Sequence, residues 1–98
     1  MLVKQSTIHG LPVVQARGEL DRASREYLRR EVERLAHREQ AVGLDLEEVD
    51  FIDSAGAHLL GELSAELRAS GKRLVVLKES SQVQRVLKLL TRAGLLQL

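Results

Sequence analysis

The chain is 98 residues long, 44% apolar and 30% charged, with fifteen Lys and Arg against fourteen Asp and Glu. That length holds one small domain, residues 1–98, and the balanced charge supplies no field for direct nucleic-acid binding or a membrane surface. Tyr27 and Phe51 are the only aromatics, which leaves no base-stacking platform, and the lack of cysteine removes disulfides, thiolate catalysis and thiolate metal sites. The opening MLVKQSTIHG lacks the apolar centre of a signal peptide, and no apolar run approaches spanning length. No membrane insertion is expected, and a cytoplasmic protein is the default.

Taken in order, Leu2 to Ile8 alternates as a first strand, and His9-Gly10 marks a turn before Pro12 to Arg17. So short a connection predicts an antiparallel hairpin, because a parallel crossover needs a dozen residues or more. Gly18-Glu19-Leu20-Asp21 ends the second strand, and Asp21 is a helix cap. An amphipathic helix follows to about Arg38, with Leu28, Val32, Leu35 and Ala36 as its buried stripe. Its Arg- and Glu-rich face, including the Glu26–Arg30 and Arg29–Glu33 spacings, reads as a solvated surface.

Val42 to Leu46 is the third strand, interrupted by Asp45, a polar residue expected at a sheet edge or loop. The second helix runs from about Ala55 to Ser70 and stops at Gly71. Arg73 to Leu77 is a near-continuous apolar strand suited to burial on both faces. Ser80 or Ser81 caps a third helix whose stripe is Val83, Val86, Leu87 and Leu90, closed by Gly94, with Leu95 to Leu98 as a short extended end. The order β-β-α-β-α-β-α predicts an α/β domain whose four-stranded sheet is mostly parallel, with the first strand antiparallel and three main helices. Val14, Leu44, Leu46, Leu63, Leu67, Val75 and Leu77 join the helix stripes in the expected core.

No catalytic set is present. The chain has no glycine-rich phosphate loop, and His9, His37 and His58 lack metal-ligand spacing. A non-enzymatic protein without cofactor or metal is expected. Asp45, Asp50 and Asp53 suggest an acidic pocket at the strand ends, but no second acidic pair or suitable lysine completes a phospho-aspartate site. Asp53-Ser54-Ala55-Gly56, where a strand gives way to a helix, places a hydroxyl beside free N–H groups and the positive end of a helix dipole.

Two segments in this order of elements, Gly18-Glu19-Leu20-Asp21 with Ser24 and Ile52-Asp53-Ser54-Ala55-Gly56, resemble the STAS domain, and within it the bacterial anti-sigma factor antagonists. The similarity extends over essentially the whole chain, with Gly94-Leu95 standing where the family closes its last conserved helix. Ala55 departs from the family's usual second hydroxyl. The resemblance implies a protein switch in which an anti-sigma factor with serine kinase activity phosphorylates the serine after the Asp, here Ser54, and so controls sigma-factor-dependent transcription. By the same resemblance, Asp21, Arg22, Ser24, Asp53, Ser54, Ala55, Gly56, Ala57 and His58 form the partner surface. The alternative reading is a small STAS subunit that regulates a lipid-transport ATPase or a stress-signalling assembly without phosphorylation. STAS modules attached to anion transporters are set aside at this stage for want of a membrane segment.

Overall fold

A computed structural model describes residues 1–94. The elements run β1 (Leu2–Ile8), β2 (Leu11–Leu20), α1 (Arg25–Ala36), β3 (Ala41–Ile52), α2 (Ser54–Ala69), β4 (Arg73–Glu79) and α3 (Ser81–Arg92). The sheet order is β1-β2-β3-β4, with β1 antiparallel to β2 and the other neighbours parallel. This is the expected α/β architecture. The expected extended end at Leu95 to Leu98 lies outside the described residues.

The hairpin turns tightly because His9 and Gly10 both take positive φ, 51° and 82°, the hand that matches strand twist. Two strands run further than sequence spacing indicates. β2 continues through Gly18-Glu19-Leu20 and β3 through Ile52, so both site segments begin inside the sheet. Opposite Gln15–Arg17 and Gly18–Glu19 the register shifts put an extra residue into β3, whose core positions step from Leu46 to Val49 to Ile52, which hides the later part of that strand from a period-of-two reading. Gly18 carries the irregularity at φ +108°, a conformation that favours glycine.

All three helices contribute to one core. Leu28, Val32 and Leu35 of α1, Leu59, Leu60 and Leu63 of α2, and Val83 and Leu87 of α3 meet Val14, Leu44 and Leu46 from the sheet. Fully burying one such side chain is worth about 1.5–3 kcal/mol. Ser80 starts α3 by accepting the Val83 amide on its hydroxyl at 3.2 Å. Beyond α2, Gly71 takes φ +74° and turns the chain toward β4.

β4 corrects the expected double burial. The helices pack on one face of the sheet, so Leu74 and Val76 join the core while Val75 and Leu77 project from the other face. Leu77 is 37% exposed and Val75 half-buried, and neither belongs to the core cluster. A second correction concerns α1. Its charged face is not simply solvated, because Arg25 pairs with Glu62 at 3.0 Å and Arg29 with Glu66 at 2.7 Å, tying α1 to α2. Arg29 also meets Glu62, Glu26 and Glu33.

Candidate functional site

The two motif segments meet at the rim where β2 and β3 end. Asp21 does not open α1 directly, as its position suggested, but caps the turn before it. Its carboxylate accepts the amides of Ala23 and Ser24, both at 3.0 Å, and its carbonyl accepts the Arg25 amide at 2.9 Å. Ser24 answers in kind. Its hydroxyl accepts the Asp21 amide at 3.0 Å and donates to the Glu19 carbonyl at 2.6 Å. This closed exchange explains why an Asp and a Ser stand three residues apart. The Ser24 amide, more than any other group, holds the Asp21 carboxyl below its ordinary pKa.

Asp53 organises the second segment. It is the N-cap of α2, in extended conformation, and one carboxylate oxygen accepts the Gly56 amide at 2.8 Å. The other accepts the Arg22 amide at 3.3 Å, so the same side chain fastens the turn before α1. The Asp53 amide in turn reaches the Leu20 carbonyl at 3.3 Å. One residue thus locks both loops into a single surface.

Gly56 serves that surface from beneath. A β-carbon there would stand 2.2 Å from the Leu20 carbonyl oxygen and 2.9 Å from the Leu20 Cγ. Only glycine lets the first turn of α2 settle against the end of β2. The D-S-x-G spacing therefore has two separate causes, a cap at Asp53 and a close approach at Gly56.

Ser54 occupies the first helical position of α2 and is exposed. Among the described residues its hydroxyl makes no side-chain hydrogen bond, which leaves it available. His58 follows one turn later on the same helix face and is exposed, as is Arg22 across the junction. Asp21, Ser24, Asp53 and Ala55 are half-buried, while Gly56 and Ala57 lie beneath the surface. The family resemblance names these nine residues but passes over others. Glu19, Tyr27, Asp50 and Met1 line a shallow depression beside the Asp21–Ser24 turn. Tyr27 reaches it from the first turn of α1, and only the three-dimensional path reveals that.

Asp45 does not join Asp50 and Asp53 in an acidic pocket. It is 6% exposed, and its carboxylate accepts the Glu47 amide at 3.0 Å, satisfying a backbone group at the β3 bulge. Among the described residues no group of three His, Asp or Glu side chains is placed to hold a metal. No helix among them is long and apolar enough to cross a membrane.

Several solved structures share this fold. The unphosphorylated form of the anti-sigma factor antagonist SpoIIAA superposes with a TM-score of 0.71 at 24% identity, over 96% of this chain and 82% of that one. An anti-sigma factor antagonist from Mycobacterium paratuberculosis gives 0.74 at 21% identity, over 95% and 80%. SLC26A9 gives 0.75 at 19% identity over 92% of this chain, which spans only 18% of that protein. Comparison with curated protein sequences yields no match. The STAS domain family model matches residues 3–98, nearly the entire sequence. With the fold and both motif segments in place, the chain belongs to the STAS domain family.

Proposed function

We propose that this STAS domain is an anti-sigma factor antagonist whose partner is an anti-sigma factor with serine kinase activity, and that phosphorylation of Ser54 switches the complex off. The observation that carries the reading is the exposed Ser54 at the first position of α2, flanked by an Asp53 carboxylate already committed to two amides. A kinase can reach that hydroxyl without unfolding anything. The reading is supported by the similarity in size and fold to antagonist chains of which this one covers 80% and 82%.

The physics of the switch follows from the surroundings. A phosphate adds about −1.5 to −2 charges. The α2 N-terminus tolerates it, because the Ser54 and Ala55 amides precede the first capped amide and the helix dipole favours negative charge. A partner surface complementary to a neutral serine between Asp21 and Asp53 loses that complementarity at once. The fold survives while the interface does not. The test is calorimetric titration of a kinase-type anti-sigma factor with the wild type, Ser54→Ala and Ser54→Asp. Wild type and Ser54→Ala should bind alike, and Ser54→Asp at least tenfold more weakly. Equal binding by all three would remove Ser54 from the interface.

A further inference from the structure

We propose that Arg22 and His58 form a clamp that closes on a phosphate carried by Ser54 and so withdraws both side chains from the partner surface. This deepens the Ser54 reading and rests on it. Its first ground is where the two residues stand. His58 follows Ser54 by four residues on α2, which sets the pair on one face with β-carbons about 5–6 Å apart. Arg22 comes from the other loop. Its amide is held on Asp53 at 3.3 Å, which keeps its Cα within about 5 Å of the carboxylate that immediately precedes Ser54. Both side chains are exposed, as is Ser54.

The second ground is that the acids around them are already spent. Asp53 gives one oxygen to the Arg22 amide and the other to the Gly56 amide. Asp21 accepts the amides of Ala23 and Ser24. Glu62, one turn beyond His58 on the same face, is held by Arg25 and Arg29 from α1. Among the described residues neither Arg22 nor His58 forms an ion pair. A phosphate on Ser54 therefore meets two donors with no prior engagement.

The chemistry of each donor suits the task. Arg22 supplies a permanent charge and a planar fork of N–H groups that matches phosphate oxygens. His58 supplies a ring N–H in either protonation state. The phosphate brings three strong acceptor oxygens, more than the α2 amides alone can fill. The switch then acts twice. Modification adds negative charge to the partner surface, and it also removes an arginine and a histidine that the unmodified surface presents.

The experiment installs phosphoserine at position 54 of the full chain during translation, by codon suppression, so that no kinase is needed. Phosphorus NMR then follows the second ionisation of the phosphate, which lies near pH 6 in a free phosphoserine. The expected result is a midpoint at least about 0.5 pH unit lower in the otherwise wild-type chain than in the Arg22→Gln, His58→Gln double variant, with each single variant between them. Arg73→Gln is the control for net charge. Arg73 pairs with Ala41 at the start of β3, whereas Ser54 follows the end of that strand, so its loss should leave the midpoint unmoved. The Arg22 Nε–H and His58 ring resonances should follow the same titration, and amide spectra check that every variant is folded. A low midpoint that survives both substitutions comes from the helix N-terminus alone and overturns the proposal. So does an equal rise on Arg73→Gln, which would reduce the effect to net charge. Failure of the clamp is read here without a kinase, whereas failure of the switch is read from where a kinase places phosphate on the unmodified chain.

Discussion

Gly56 and Leu20 approach so closely that a β-carbon on Gly56 would lie 2.2 Å from the Leu20 carbonyl oxygen. In an ordinary helix, glycine to alanine stabilises by about 1 kcal/mol. Here the sign reverses, because the obstacle is backbone rather than a flexible side-chain tip. Gly56→Ala should destabilise by about 1–3 kcal/mol as α2 is pushed from β2. Chemical denaturation checks it, and an unchanged or raised midpoint would show that the contact is looser than described.

Asp53 joins Arg22 to Gly56 through one carboxylate, so its loss should be felt at both loops. Asp53→Ala removes an N-cap worth about 1 kcal/mol. Hydrogen exchange should then accelerate at Gly56 and also at Arg22, far away in sequence. Acceleration at Gly56 alone would mean that the Arg22 contact carries no weight.

Two glutamates on the α1–α2 seam should respond to pH in opposite senses. Burial pushes Glu62 up, but Arg29 and Arg25 outweigh it and leave its carboxyl below the ordinary 4.5. Its contribution is therefore present at neutral pH and lost as pH falls through that depressed value. Glu33 is raised by burial and then by Glu66, so its contribution is present in acid and lost as pH rises through its elevated value. Glu62→Gln should lower the thermal midpoint at neutral pH and converge on wild type in acid. Glu33→Gln should raise it slightly at neutral pH. Both carboxylates are partly exposed, so each effect stays below about 1 kcal/mol. Parallel curves for wild type and both variants would contradict the assignment.

Leu63 and Leu77 separate what was legible from what was not. Leu63 sits on a helical stripe of period 3.6 and is fully buried, as spacing alone predicts. Leu77 ends an apolar run that reads as buried on both faces, yet it projects from the face that carries no helix and is 37% exposed. Which face the helices cover is a non-local property, and no feature of Arg73 to Leu77 announces which face lacks a helix. Leu63→Ala should cost about 2–5 kcal/mol, and Leu77→Ala less than about 1 kcal/mol. Equal losses would return Leu77 to the core.

The site divides along the same line. Asp53 as a cap and Ser54 beside it were legible, because capping chemistry is local. The reach of Asp53 to Arg22 and the fit of Gly56 under Leu20 were not, since both depend on where β2 ends. The bulges in β3 opposite Gln15–Arg17 and Gly18–Glu19 likewise conceal how far β3 runs beside β2. The α1 charges show the same limit, with Arg29 finding Glu62 and Glu66 on α2 beyond its helical neighbours.

Phosphate mapping by mass spectrometry after incubation with a kinase-type anti-sigma factor and ATP tests the Ser54 switch directly. A single phosphate is expected on Ser54, with none on Ser54→Ala and a thermal midpoint nearly unchanged by modification. Phosphate on Ser24, Ser64 or Ser80 with Ser54 untouched would contradict it. Ser24 and Ser80 are already engaged in holding turns together and Ser64 is buried, so modification there would have to disrupt the fold to act.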